Sequence, residues 1–463
     1  MKYPAATPAR IWSLWPLKRP LAYPARGLFP IPPHLRPHPV RLNSTVTPPK
    51  DTDYYAFSFL GYEIERLGKY CPGGYHPVVI GDTFNDRYHV HKLGHGSFST
   101  IWLAHDDQTR TYVALKICTA YSTSQSHETQ ILRELLDLSF LEEPGWSMIP
   151  HIYDQFESQS PNGQHTCYVT SPARCNLASI VEWSFFEINV ARKLIVQLIQ
   201  AVAYIHSRGF AHGELYREYG EPNVEPIERY DEKPLGPGVP SHATEPLWLG
   251  KYAKDMTVAD AQIVLCDFGE AFSPADPQKT KLGEDCCTPS MMSPPEAHFE
   301  PKIPMSFASD IWALANAIWC LLGKMPLSFS FFADIDEITA ERVRILGALP
   351  PDWWAKWEAR NTFFDQQGNF KDPEYEFSSL DDRFERNIQD LREKRGKPKF
   401  DENEKKALLA MIQPMLAFKP ENRPTAKMVL SSDWVQNWGM ASYGPGKPGV
   451  NSWLPLASAA SAS

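Results

Sequence analysis

No stretch of eighteen consecutive apolar residues occurs in the 463-residue chain, so the sequence offers no membrane-spanning helix. The longest candidate, residues 311–322, is too short and is interrupted by Asn316. The eight cysteines, at 71, 118, 167, 175, 266, 286, 287 and 320, form no C-x-x-C pair, and the adjacent Cys286 and Cys287 fit no common zinc spacing. They read as scattered thiols of a reducing compartment. His89, His91 and His95 have neither carboxylate nor thiol companions, so no metal site is expected there. No internal repeat is present. Acidic residues are missing from residues 1–50, which hold eight Lys/Arg and 12 of the 42 prolines. The remainder carries 38 basic against 55 acidic residues, a body of −17 inside a total of −9. That balance argues against direct nucleic-acid binding by phosphate neutralisation and suits a basic partner.

What is present is the composition of a globular protein, 43% hydrophobic and 22% charged. Residues 1–52 are broken by proline every few positions, which leaves either a disordered basic tail or an organellar transit peptide with a short helix over residues 10–17. Residues 53–87 form an N-terminal extension. From residue 88 the pattern becomes ordered: alternation over 88–93, a glycine-rich turn over 94–99, a strand over 100–104 and another over 112–117. Helical spacing follows over 125–138 and 188–208, and residues 311–322 read as a buried helix. Residues 236–240 are loop, and the Gly, Ser, Ala and Pro-rich tail over 438–463 reads as disordered.

A lone G-x-G turn closes many hairpins. Here Gly94 and Gly96 precede a V-A-L-K strand, and glycine lets backbone N–H groups approach nucleotide phosphates closely. Lys116 lies on that apolar strand. It either snorkels to solvent or meets a phosphate and a carboxylate, for which Glu128 is the natural candidate. Further on, Asp267 closes an apolar stretch and begins D-F-G, where phosphoryl-transfer sites hold Mg²⁺. Glu296 and Arg423 have the character of a buried ion pair.

With these motifs in order, residues 88–434 resemble the protein kinases, and more specifically the SR-protein kinases (serine/arginine-protein kinases). The resemblance rests on GGYHP at 73–77, Gly81, Asp82, Arg87, Tyr88 and FSTIW at 98–102. It also rests on DFGEA at 267–271, MLAF at 415–418, and Arg423, Pro424 and Thr425. It implies an α+β bilobal fold, with a small antiparallel β N-lobe carrying one helix (88–170) and a large, mainly helical C-lobe (171–437). It further implies ATP and Mg as cofactors and transfer of the γ-phosphate to serine in basic arginine/serine-rich proteins. Carried onto this chain, it places the nucleotide at Leu93, Gly94, Gly96, Ser97, Ile101, Ala114, Lys116 and Asp267, with Asp267 as the Mg ligand. A monomer is expected, in cytoplasm and nucleus, or in mitochondria if residues 1–50 act as a transit peptide.

The resemblance breaks after the long helix. Kinases carry a catalytic loop H-R-D-x-x-x-x-N there, whose aspartate orients the acceptor hydroxyl and whose asparagine holds a second metal. Here His212 and Gly213 lead into Glu214, Tyr216 and Tyr219, at the positions of the aspartate, a lysine and the asparagine. Either Glu214 stands in as base, or a segment is missing after Gly213 and residues 215–222 belong to an insert. The missing segment could be a matter of splicing, gene structure or evolution. Between them stand three functions: a slowed kinase, a scaffold without transfer, and an isoform of an active enzyme.

Overall fold

A computed structural model describes residues 55–56, 65–96, 98–125, 127–173, 185–213, 224–229, 233–244, 250–277, 279–323, 326–330, 334–372 and 377–443. The expectations for residues 1–52 and for the tail beyond 443 lie outside them. The N-lobe is a six-stranded antiparallel sheet. In chain order its strands are β1 (Thr83–Phe84), β2 (Tyr88–His95), β3 (Ser99–Asp106), β4 (Thr111–Cys118), β5 (Asp154–Ser160) and β6 (Gly163–Thr170). In space they run β1, β2, β3, β4, β6, β5. Alternation sends Tyr88, Val90, Trp102, Ala104, Val113, Leu115 and Ile117 into one buried cluster.

The glycine turn is shorter than the spacing suggests. Strand β2 runs on through Gly94 to His95, because a register shift between Lys92 and Gly94 lets pairing with β3 resume. The single N-lobe helix expected over 125–138 is instead two, α1 (Ala120–Gln125) and α2 (Glu128–Leu135). Thr119 starts α1 by accepting the Ser122 N–H at 3.1 Å, and α2 starts afresh after His127, whose backbone is not helical.

The C-lobe is built round α3 (Ile188–Ser207), packed against α4 (Phe307–Leu322). Among the described residues α3 is the one helix long and apolar enough to cross a membrane, and it is the buried centre of this lobe. Ser306, Asp334 and Asp401 cap α4, α5 (Ile335–Leu346) and α6 (Glu402–Met415) through their side-chain oxygens. Helix continues past Trp438 to Tyr443, so the expected tail begins later than residue 438.

Residues 263–266, expected as an apolar strand, have no ladder partner among the described residues. The Gln197 amide stands in for one: its Oε1 accepts the Ile263 N–H at 2.8 Å and its Nε2 donates to Ala261 O at 3.0 Å. Ile263 and Leu265 face the core, while Val264 is 43% exposed. Ahead of the sheet, Leu67, Tyr70 and Tyr75 form a satellite cluster with Ile227 and Ala243 from the segment after the long helix. That segment pairs Val224–Pro226 with His242–Thr244, and Glu228–Arg229 with Tyr55–Ala56.

Candidate active site

Gly94 on β2, Ile101 on β3 and Lys116 on β4 pair in one lateral row, and Ala114 lies two residues from Lys116 on the same face. Ala114, Leu103 and Ile101 make a small apolar patch there. The Lys116 ammonium, nearly buried, donates to both Glu128 oxygens at 2.7 and 2.9 Å and to Asp267 Oδ1 at 3.1 Å. Burial opposes its charge, but Asp267 and Glu128 outweigh that and hold its pKa well above the ordinary lysine value. Snorkelling to solvent is therefore not what Lys116 does. Glu128 also accepts the Phe268 N–H at 3.0 Å, so one carboxylate joins α2, β4 and the D-F-G turn.

Asp267 adopts a left-handed backbone (φ 69°), a conformation costing a non-glycine residue about 1–3 kcal/mol. Its Oδ1 accepts from Lys116 at 3.1 Å, and its side chain is 25% exposed. Its neighbour Phe268 is buried, with its ring centroid 4.9 Å from that of His212.

The approach to the catalytic loop is fully built. Asp310, near the start of α4, accepts the backbone N–H groups of His212 and Gly213 at 2.6 and 3.1 Å and the His206 Nε2–H at 2.9 Å. Burial would raise its pKa, yet these donors pull it below the usual carboxylate value. His212 donates from Nε2 to Cys266 O at 2.9 Å, and burial lowers its pKa, with Asp310 opposing. Gly213 needs its glycine: φ is 79°, and a Cβ would sit 2.6 Å from Glu270 O. Gly213→Ala is therefore expected to cost about 1–3 kcal/mol, read from urea unfolding; an unchanged midpoint would show that the turn relaxes freely. The Gly213 carbonyl accepts the Thr288 hydroxyl at 2.8 Å.

Thus Lys116, Glu128 and Asp267 are brought together, and Gly94, Ile101 and Ala114 share the face beside them. Gly96 follows at the turn. Ser97 and the side chain of Leu93 lie outside the described residues, as do Glu214, Tyr216 and Tyr219. Sequence reasoning assigned no role to Asp310 or His206. A buried acid in the first turn of an otherwise apolar helix was the available signal for Asp310. The adjacent acids Asp381 and Asp382 both have partners within the chain: Asp382 closes a capping box with Ser379, and Asp381 lies 3.2 Å from Lys405. Among the described residues no cluster of three metal-ligating side chains occurs, and His89 is taken up by Asp107 and Thr83.

Residues 88–218 match the family model of the protein kinase domain. Over those residues the chain is similar to a protein kinase domain. It is 26% identical over 396 residues to a serine/threonine protein kinase of Aspergillus fumigatus, spanning 81% of this chain and 90% of that one. It is 36% identical over 164 residues to serine/threonine-protein kinase spk-1 of Caenorhabditis briggsae, covering 34% of this chain and 14% of the relative. Against SRSF protein kinase 3 of Homo sapiens the identity is 35% over 153 residues, 32% of this chain and 27% of the other. The chain thus resembles protein serine/threonine kinases, and its antiparallel sheet and helical C-terminal region are consistent with their bilobal fold. A kinase domain uses ATP and a divalent metal, and the donors here fit both. Lys116, a buried cation, would meet phosphate oxygens, the turn of Gly94 and Gly96 would lie over the phosphates, and the Asp267 carboxylate would be the metal ligand. The metal would neutralise charge on the transferring phosphoryl group.

Proposed function

We propose that this kinase domain binds Mg-ATP and that its acceptors are serines of arginine/serine-rich proteins, with transfer far slower than an intact catalytic loop allows. The carrying observation is the assembled set of Lys116, Glu128 and Asp267, with both carboxylates within 3.1 Å of one ammonium. The similarity to SRSF protein kinase 3 and spk-1, and a body of −17, support the basic substrate class. Slowness is argued from sequence: the expected aspartate and asparagine positions hold Glu214 and Tyr219. Loss of a positioned base costs roughly 10²–10⁴ in rate, and a lost metal ligand adds to that.

A second reading, a nucleotide-binding scaffold for the same partners without transfer, is favoured by residues 263–266 having no strand pairing among the described residues, which fits the loss of a neighbouring strand along with the loop. Labelled phosphate transfer from ATP to an arginine/serine-rich peptide separates the two, with Asp267→Asn as the blank. A weak signal above the blank is expected. Equality with it would leave the scaffold. Sequencing the transcript across His212 and Leu215 tells whether a longer message restores the aspartate and asparagine.

A further inference from the structure

The glycine turn is held from outside the sheet. Residues 65–75 fold into a tight loop in which Tyr75 N–H donates to Lys69 O at 3.0 Å and Gly74 N–H to Cys71 O at 2.7 Å. The Tyr75 side chain is buried and packs edge-on against Tyr70, ring centroids 5.5 Å apart, beside Leu67, Ile227 and Ala243. Its hydroxyl donates to the carbonyl of Gly96 at 2.5 Å. The Tyr75 carbonyl is itself fixed, because the Asn162 amide donates to it at 2.7 Å and to Gly238 O at 2.8 Å. Gly238 lies so close that a Cβ there would sit 2.1 Å from Asn162 Oδ1. Two segments remote in sequence, 65–75 and 227–243, therefore brace one tyrosine whose hydroxyl reaches the tip of the β2–β3 hairpin.

We propose that Tyr75 is a positioning residue for the nucleotide phosphates, acting through the Gly96 carbonyl; this rests on the nucleotide-binding reading above. Glycine gives the turn its close approach but also lets its peptides rotate at little cost. A carbonyl swung toward a triphosphate repels it, whereas a backbone N–H attracts it. Tying the Gly96 carbonyl to a buried hydroxyl removes that freedom before the ligand arrives, and so reduces the ordering cost of binding. The effect is confined to the phosphates, because the apolar patch of Ile101, Leu103 and Ala114 belongs to the strands and not to the turn. Phenylalanine would fill the Tyr75 cavity equally well. The hydroxyl is what the turn needs.

The test is Tyr75→Phe in the full chain, with dissociation constants of Mg-ATP and of adenosine measured by calorimetry. ATP should bind about three- to tenfold more weakly, the worth of one hydrogen bond, while adenosine affinity stays unchanged. Equal weakening of both ligands would mean general support of the lobe and would overturn the assignment, as would no weakening of ATP. If Tyr75→Phe does not fold, Asn162→Ala loosens the brace without touching the ring, and the same ATP-to-adenosine ratio is read. No ATP binding by the unsubstituted chain defeats the nucleotide reading and this inference together. Binding of both ligands with an unshifted ratio defeats the role of Tyr75 alone.

Discussion

Lys116→Met should abolish the stabilisation that nucleotide gives this protein. With Mg-ATP at about 100 times its Kd, the unsubstituted chain gains roughly 2.7 kcal/mol against unfolding. The ammonium of Lys116 is the cation buried between Glu128 and Asp267, and without it two carboxylates would face the phosphates. The same change removes the charge that balances those carboxylates, so stability without nucleotide falls by about 3–5 kcal/mol. Urea unfolding with and without Mg-ATP separates the effects: the midpoint drops, and the nucleotide-dependent increment vanishes. Lys116→Arg keeps the charge and is expected to recover part of the first loss but little of the second, because a planar guanidinium cannot occupy the ammonium's place. A nucleotide increment that survives in the methionine variant would move the binding site elsewhere.

Arg423→Ala should be the most destabilising single change in the C-lobe. The Arg423 side chain is fully buried and all five of its N–H donors are used. Nη1 and Nη2 reach Glu296 at 2.8 and 2.6 Å, and Ala417, Ala308 and Phe418 carbonyls accept at 2.8 Å each. Truncation leaves a buried carboxylate and three carbonyls without their donor, which costs about 3–5 kcal/mol. That is a large fraction of the ~5–15 kcal/mol that holds an ordinary domain folded. Glu296→Leu combined with Arg423→Leu should cost less than the two single changes added together, since removing both partners strands neither. Strict additivity of the two would show that the pair does not act as a unit.

Much of this site was legible in the sequence because its chemistry is locally written. Lys116 stands in a strand that is buried from residue 113 onward, Glu128 opens helix α2, and D-F-G is a contiguous word; the ion pair of Glu296 and Arg423 also forms as expected. What escaped depends on contacts between residues far apart. Asp310 meets the His212 amide across 98 positions, and Asn162 meets Gly238 across 76. Helix α1 separates from α2 because Thr119 and His127 set local geometry that apolar spacing does not encode. Within the charged stretch at 371–406, Arg392 and Phe384 are almost wholly buried. Arg392 there donates to the carbonyls of Pro398 and Phe186, a use of charge that composition cannot reveal.

The satellite cluster ahead of the sheet also sets an order in time. Leu67, Tyr70 and Tyr75 are synthesised early, but Ile227 and Ala243, which cover them, follow about 150 residues later. At cellular translation rates that delay is roughly 8–30 s. All six strands of the N-lobe sheet precede residue 171, so the sheet can close on the ribosome while Tyr75 still lacks half of its surroundings. The support of the β2–β3 turn is thus the last part of the small lobe to be finished, and it waits on a segment made after the long helix of the other lobe.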